Sequence, residues 1–155
     1  MARTGLPRLR LWAEALDASG RASADYSRSY IGNAPQDKFD VPVEPCAWTR
    51  DELELGPLYV LEAGPDVSIE PVRGVDAVQL LFANTYRGKY VALTGTARLH
   101  YDACVRLARR CPLFRARRAW DLGRFDEQAE QFLSHAIGAI DQAKSDAGAI
   151  SHQMR

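Results

Sequence analysis

The chain has 155 residues, a length that suits one domain. Hydrophobic residues make up 46% of it and charged residues 26%, which is ordinary for a globular protein and excludes a wholly disordered chain. Twenty basic residues balance twenty acidic ones, and a formal net charge of zero argues against a dedicated nucleic-acid-binding protein, which is usually basic.

The first predicted element is an amphipathic helix over residues 7–19. Pro7 suits the first turn of a helix, and Gly20 suits the position after its end. Four apolar residues between them recur at helical spacing, so one face of the helix is expected to pack against the rest of the protein. These residues are Leu9, Trp12, Ala13 and Leu16.

Strands are predicted in the middle of the chain. Residues 26–31 are expected to form one strand, and residues 33–37 have the chemistry of a turn, because proline presets φ while Asn and Asp bond to the local backbone. Residues 39–49 alternate approximately in polarity and place Phe39, Val41 and Val43 on one side of a further strand, and its two prolines favour an edge strand or a bulge.

Two apolar runs follow, at residues 58–61 and 78–83, and both are predicted as strands, with a turn over residues 84–88. Residues 90–100 show the most regular alternation in the chain and are predicted as a strand. Gly95 at its centre indicates a bulge or a close approach by another group.

The last third is predicted to be helical. Asp102 can cap a helix that runs to Arg110, Pro112 ends it, and residues 126–147 form a second, amphipathic helix. A helix, then strands with short links, then helices predicts an α+β fold built around an antiparallel sheet or barrel. We expect a single domain over residues 1–148 and a frayed tail over residues 149–155.

Three segments carry a resemblance: YIGNAPQDKFDVPV (30–43), GPLYVLEA (56–63) and DAVQLLFANTYRGKYVALTGTARLHYD (76–102). The stretch KYVALTGTARLHYD (89–102) is the most specific part. The segments resemble the pyridoxamine 5'-phosphate oxidase-like family and, within it, the bacterial general stress proteins that bind FMN. This resemblance implies an antiparallel split β-barrel with an N-terminal helix and C-terminal helices. It also implies a homodimer that holds the flavin at the subunit interface.

The function implied by the resemblance is FMN binding, with an oxidoreductase activity in which the flavin ring does the redox chemistry. No catalytic residue is assigned. The sequence departs from the family pattern at Val41, Glu62 and Ile69, where a basic residue, a threonine and a lysine are expected. The residues expected by position to contact the flavin are Tyr59, Arg73, Arg87, Lys89, Tyr90 and Thr94.

These departures keep an alternative open: a non-catalytic relative that has lost the flavin and acts as an interaction module through its arginine-rich stretch, residues 106–118. Residues 37–76 contain ten acids and three bases, a net charge of −7. Residues 87–118 contain nine bases and one acid, a net charge of +8. The basic stretch can therefore bind an anion, or it can pair with the acidic half of its own fold or of a dimer mate.

The cysteines and histidines give only weak signals. Cys46, Cys104 and Cys111 are an odd number without paired spacing, which argues against a disulfide framework and favours a reducing compartment. His100 is considered as a proton carrier and His135 as a surface residue. No histidine stands at zinc-ligand spacing from a Cys or a carboxylate, so no metal site is expected. With no membrane-length apolar run and no signal peptide, the cytoplasm is expected.

Overall fold

A computed structural model describes residues 2–3, 8–31, 34–43, 52–86 and 88–153. Contacts divide the chain into two compact units, Met1–Glu54 (unit 1) and Leu55–Arg155 (unit 2), and each is described by itself. Helices and strands are both present, so the predicted α+β class is confirmed. The strands that the structure describes form small open sheets and no closed barrel. The single domain over residues 1–148 stays a prediction.

Unit 1 is built around a three-stranded antiparallel sheet. Its described elements are, in chain order, β1 (Ala2–Arg3), β2 (Arg8–Trp12), the helix α1 (Ala13–Ala18), β3 (Ser27–Ile31), β4 (Ala34–Pro42) and β5 (Glu52–Leu53). β4 lies between β2 and β3 and bonds to both, so it is the central strand of this sheet and not an edge strand. β1 and β5 pair with each other in a separate two-stranded sheet.

The N-terminal helix is shorter than predicted, because residues 8–12 form a strand. β2 places Leu9 opposite Val41 and Leu11 opposite Phe39. Leu9 and Leu11 fit the two-residue period of a strand, and cross-strand pairing with β4 favours that structure over a helix. Only α1 remains of the helix predicted over residues 7–19.

Two strand predictions in unit 1 are confirmed and one turn prediction is wrong. β3 matches the strand expected at residues 26–31, and β4 contains Phe39 and Val41, both buried on one side. Residues 34–37, expected in a turn, continue β4. Residues 44–51, which include most of the remainder of the strand predicted over 39–49, lie outside the described residues.

The core of unit 1 lies between α1 and the sheet. Leu16 of α1 is 0% exposed and forms a buried cluster with Phe39 and Val41 of β4. Leu11 and Tyr26, both half-buried, pack against this cluster. One leucine on a short helix therefore fills the contact with the central strand, where a methylene group removed from water contributes about 0.8 kcal/mol.

Asp40 of β4 is surrounded by groups that favour its charged form. The hydroxyl of Ser29 donates to Oδ1 of Asp40 at 3.0 Å, and Nε of Arg10 donates to the same oxygen at 3.1 Å. Arg8 Nη1 lies 3.6 Å from Oδ2. The hydrogen bond from Ser29 is the largest influence that lowers the pKa of Asp40, and the two arginines lower it further.

A Ser29→Ala variant is expected to raise the pKa of Asp40 toward its ordinary value, because the strongest bond to the carboxylate is removed. The folded-state pKa of Asp40 lies below its unfolded value. Asp40 therefore stabilises unit 1 above the unfolded-state pKa, and this contribution disappears as pH falls through the folded-state pKa. NMR titration of the carboxyl carbon measures the shift. Ser19→Ala is the control, since the Ser19 hydroxyl donates to Leu16 O instead; an equal shift in both variants would contradict the prediction.

Unit 2 combines a mixed sheet with four helices among its described residues. In chain order these are β6 (Leu58–Ala63), β7 (Ser68–Val72), α2 (Gly74–Ala83), α3 (Lys89–Leu93), α4 (Ala97–Arg110), β8 (Leu113–Arg118) and α5 (Phe125–Gln153). β8 lies in the middle, parallel to β6 and antiparallel to β7. The strand predicted at residues 58–61 is therefore confirmed as β6.

The apolar run at residues 78–83 is the end of α2, so the prediction of a strand there is wrong. Val75, Val78 and Phe82 recur at helical spacing and line one cavity together with Tyr101 of α4. A short apolar run by itself does not distinguish a strand from a buried helix. The helical spacing of Val75, Val78 and Phe82, which begins before the apolar run, indicates the helix.

The strand predicted over residues 90–100 is also wrong, because this stretch is two helices joined at Gly95. Gly95 has φ +68°, a left-handed conformation that glycine adopts without steric penalty. Its amide donates to Ala92 O, and the amide of Thr96 donates to Val91 O. This pair of bonds is the Schellman pattern that ends a helix. Gly95 therefore ends α3 instead of marking a bulge, and Asp102 lies inside α4 instead of capping it.

The C-terminal helices are confirmed in position. α4 ends at Arg110, two residues before Pro112, as predicted. α5 extends the helix predicted over residues 126–147 through Gln153. Among the residues that the structure describes, no helix combines the length and apolar character that crossing a membrane requires.

Candidate functional site

A cleft in unit 2 forms where one face of β6 meets the first turns of α5. Tyr59 and Leu61 point to the same face of the sheet, because side chains two residues apart in a strand share a face. Phe125, Ala129 and Phe132 share one side of α5 by their helical spacing. We call this the Tyr59 cleft, and its lining residues are Pro57, Leu58, Tyr59, Leu61, Arg118, Phe125, Gln128, Ala129 and Phe132.

An aromatic cluster forms one wall of the Tyr59 cleft. The ring of Tyr59 stacks on Phe114 of β8 with centroids 5.4 Å apart and meets Phe132 edge-on at 5.8 Å. His135 meets Phe114 edge-on at 4.6 Å. Such edge-on and offset arrangements are the favoured contacts of aromatic rings. The wall is therefore held by packing between the sheet and α5.

The polar end of Tyr59 is also fixed. Its hydroxyl lies 2.7 Å from Nδ1 of His135 in a hydrogen bond. Burial raises the pKa of Tyr59, so the hydroxyl keeps its proton at neutral pH. His135 is half-buried in this contact, so the expectation that it is a surface residue is wrong.

Gln128 brings an unsatisfied amide to the Tyr59 cleft. Its side chain is 2% exposed, and its Oε1 accepts a hydrogen bond from Nη1 of Arg118 at 3.4 Å. Arginine only donates, so the amide oxygen must face Arg118 and the amide nitrogen is left over. Nε2 of Gln128 has no hydrogen-bond partner among the described residues. A buried donor without an acceptor costs about 1–3 kcal/mol.

Arg118 lies beside Gln128 with its guanidinium only partly engaged. It is opposite Ala63 in the parallel register of β6 and β8. Its Nη1 also donates to Ala119 O at 3.0 Å, and its guanidinium carbon lies 4.2 Å from the centroid of the Trp120 ring. No carboxylate pairs with it in the described part of unit 2. The side chain therefore adds an unneutralised positive charge to the lining.

The cleft has the dimensions and chemistry of a small-molecule site. Its volume is about 410 Å³, and its lining is mainly apolar and aromatic. Ligand sites usually combine such a lining with a few polar groups that fix orientation. Here the polar group that can reach a ligand is Arg118, which donates, and the buried oxygen of Gln128 accepts a hydrogen bond from it. The arrangement fits a flat, largely apolar ligand that carries hydrogen-bond acceptors.

The residues expected to contact a flavin do not line one cavity. Tyr59 lines the cleft, whereas Arg73 lines a separate, polar cavity beside Glu70 and Asp76, and Lys89 lines a third with Thr85 and His100. As a set they stay a prediction. Tyr90 is exposed on α3, and the Lys89 ammonium lies over its ring. The hydroxyl of Thr94 donates a hydrogen bond to Tyr90 O. Arg87 lies outside the described residues.

The arginine-rich stretch divides between two elements with different surroundings. On β8, Arg115 and Arg117 each lie 3.4 Å from a carboxylate oxygen of Glu62, and Arg117 also pairs with Glu70 at 3.7 Å. These acids belong to the acidic half of the sequence. For Arg115 and Arg117, the interpretation that the basic stretch pairs with its own fold is therefore confirmed.

A second polar cluster joins α2 to α4. His100 Nε2 lies 2.8 Å from the hydroxyl of Thr85 and 3.6 Å from Sγ of Cys104. A nucleophilic cysteine needs a lowered pKa, but burial raises the pKa of Cys104. The thiol is therefore protonated at neutral pH, and the cluster is a packing contact between helices. Within the described ranges, no group of His, Cys, Asp and Glu residues could hold a metal ion.

Sequence reasoning identified Tyr59 but missed Gln128, Arg118 and Phe125. Helical spacing from Phe125 through Phe132 was a usable signal, because it places both rings on the face that Ala129 shares. Arg118 reaches the cleft only through the parallel pairing of β6 with β8, and that pairing leaves no pattern in the sequence. No protein-family model, no curated protein and no solved structure matches the chain.

Proposed function

We propose that unit 2 binds a planar small molecule in the Tyr59 cleft, and that its ligand is FMN. The observation that carries this proposal is a mostly apolar, aromatic cleft of about 410 Å³ that is lined by Arg118, whose guanidinium has no carboxylate partner in the described part of unit 2. A bound ligand would cover the half-exposed side chains of Leu61 and Phe125.

The residues of the cleft fit a flavin ring. The isoalloxazine ring is flat, apolar along one edge and rich in acceptors along the other. Tyr59, Phe125 and Phe132 offer aromatic contact to its apolar part, and Arg118 offers donors to its acceptors. When bound, the flavin supplies redox chemistry, so an oxidoreductase activity is part of the proposal. The protein's own part is to orient the ring and hold a proton between Tyr59 and His135.

The donors proposed here differ from the basic residues expected from the resemblance. Glu62, which would repel a phosphate, is neutralised by Arg115 and Arg117. Arg118 has no carboxylate partner in the described part of unit 2, so it is the charge available to a phosphate group. The split barrel, the homodimer and the cytoplasmic location stay predictions, and binding in the Tyr59 cleft depends on none of them.

Titration of the purified protein into FMN, followed by flavin fluorescence, tests the proposal. We expect saturable quenching, because stacking on aromatic side chains quenches a flavin. Riboflavin is the second arm and should bind more weakly if Arg118 contacts the phosphate. The dye 1-anilino-8-naphthalenesulfonate, a planar anion, is the third arm. If neither flavin nor the dye binds saturably, the cleft is not a small-molecule site; if only the dye binds, FMN is the wrong ligand.

Matched variants locate the binding site. Phe132→Ala removes a ring from the Tyr59 cleft, whereas Phe82→Ala removes one from the cavity between α2 and α4. We expect FMN affinity to fall by about tenfold in the first variant, or about 1.4 kcal/mol, and to stay unchanged in the second. Circular dichroism confirms that each variant keeps its helices. Equal losses in both variants would show that the flavin binds elsewhere.

A further inference from the structure

The arginines of α4 have different surroundings from Arg115 and Arg117 of β8, and the one acid of α4, Asp102, lies one turn from both Arg98 and Arg106. Four arginines of α4 are exposed, and none forms an ion pair within the described ranges, whereas Arg115 and Arg117 are both paired with Glu62. Asp102 is the only acid of α4 and leaves the helix with a net charge of +3. The unpaired residues are Arg98, Arg106, Arg109 and Arg110.

An apolar residue lies among these arginines. Leu99 is 70% exposed, and it stands at i, i+4, i+7 and i+11 with Ala103, Arg106 and Arg110. Residues with this spacing form one stripe along a helix. We call it the Leu99 stripe. Leu99 stands at the N-terminal end of the stripe and Arg106 and Arg110 at its C-terminal end, so the stripe offers apolar contact at one end and positive charge at the other.

We infer that the Leu99 stripe docks an acidic, amphipathic helical segment of a partner protein. Such a segment offers carboxylates to the guanidinium groups, which bind them through two parallel hydrogen bonds. It also offers apolar side chains to Leu99 and Ala103, in the manner of a helix laid against another helix. Charge and apolar contact are then satisfied by one occupant.

A nucleic acid fits the stripe less well. A phosphate backbone would pair with Arg106 and Arg110 but would leave Leu99 without an apolar partner. The chain also carries as many acids as bases, so it lacks the general attraction that nucleic-acid-binding proteins exert. A carboxylate-bearing helix uses every residue of the stripe.

Fluorescence polarisation with a labelled helical peptide of glutamates and leucines tests the inference on the full-length protein. We expect saturable binding that weakens as salt increases, and weaker binding of an equally charged peptide of glutamates alone. Arg106→Gln with Arg110→Gln should reduce affinity for the first peptide by about tenfold. The matched control is Arg21→Gln with Lys144→Gln, which removes the same charge from exposed positions outside α4.

Leu99→Ala separates the two kinds of recognition. We expect it to weaken binding of the glutamate–leucine peptide and to leave the glutamate-only peptide unchanged. Tighter binding of a single-stranded oligonucleotide than of either peptide would overturn the inference, as would equal losses in the double variant and its control. Neither double variant touches the Tyr59 cleft, so FMN titration of the same proteins tells failure of this inference from failure of the proposed function.

Discussion

A Gln128→Leu variant is expected to be more stable than the parent chain and to bind FMN about tenfold more weakly. The substitution removes a buried amide nitrogen that has no acceptor, whose burial costs about 1–3 kcal/mol. Arg118 keeps Ala119 O and the Trp120 ring, so a net gain in stability of about 1 kcal/mol is expected. Arg118 loses the Gln128 oxygen that holds its guanidinium beside the cleft, and the weaker FMN binding is expected from this loss of positioning. Urea denaturation measures the first effect, and flavin fluorescence the second.

The opposite signs of the two effects make this test specific to a ligand site. A residue that serves only packing would lose stability and binding together when replaced. Gln131→Leu is the matched control, because Gln131 is exposed on the same helix and bonds to the exposed Glu127. It should change neither quantity appreciably. Unchanged FMN affinity in the Gln128→Leu variant would remove the amide from the proposed site.

A Leu16→Ala variant is expected to destabilise unit 1 by about 2–5 kcal/mol. Leu16 is fully buried against Phe39 and Val41, so truncation removes contacts and leaves a cavity beneath α1. For a single small sheet this is a large part of the total stability, which is about 5–15 kcal/mol for a typical domain. The fluorescence of Trp12, next to α1, follows the urea-induced unfolding.

Leu9→Ala provides the comparison for this second variant. Leu9 lies in the same sheet but is 52% exposed, so its truncation should cost well under the loss at Leu16. A Leu16→Ala variant as stable as Leu9→Ala would mean that α1 does not cover β4 in solution. A loss at both positions would instead indicate that the exposed side of β2 is covered.

The regular alternation of residues 90–100 shows where sequence reasoning failed. Alternation predicted a strand, and Gly95 was taken as an irregularity within it. Its actual role is to end one helix in a left-handed conformation, which lets the next begin two residues later. A glycine in such a position fits the end of a short helix as readily as it fits a bulge within a strand. Polarity alternation over so short a stretch does not distinguish them.

The β-strands were predicted best where one strand face is buried and the pattern is local. Phe39 and Val41 are two residues apart and both are buried, so β4 could be recognised from its own residues. β2 could not, because its pairing with β4 makes it a strand, while Leu9 and Trp12 also fit a helical period with Leu16.

The candidate site was predictable only in part for the same reason. Tyr59 lies in a strand that its own sequence reveals. Gln128 and Arg118 meet near it because β8 pairs in parallel with β6 and α5 then packs back on the sheet. Pairing between residues so distant in the sequence depends on the whole fold. A polar residue that belongs to the site is indistinguishable, in sequence, from one on a solvated helix face.

The strand order of unit 2 determines the order in which its sheet can be assembled. Residues 64–67 join β6 directly to β7, yet β8 separates the two strands, which places them about 10 Å apart. A Cβ on Gly64 would lie only 2.9 Å from the Cβ of Arg117 in β8. The link between β6 and β7 therefore passes close to the end of β8. Because synthesis proceeds from the N-terminus, β6 and β7 emerge from the ribosome before α2, α3 and α4, and neither has a ladder partner until β8 follows. Unit 2 therefore completes its sheet in one late step, and its two outer strands need shielding from other nascent chains until then.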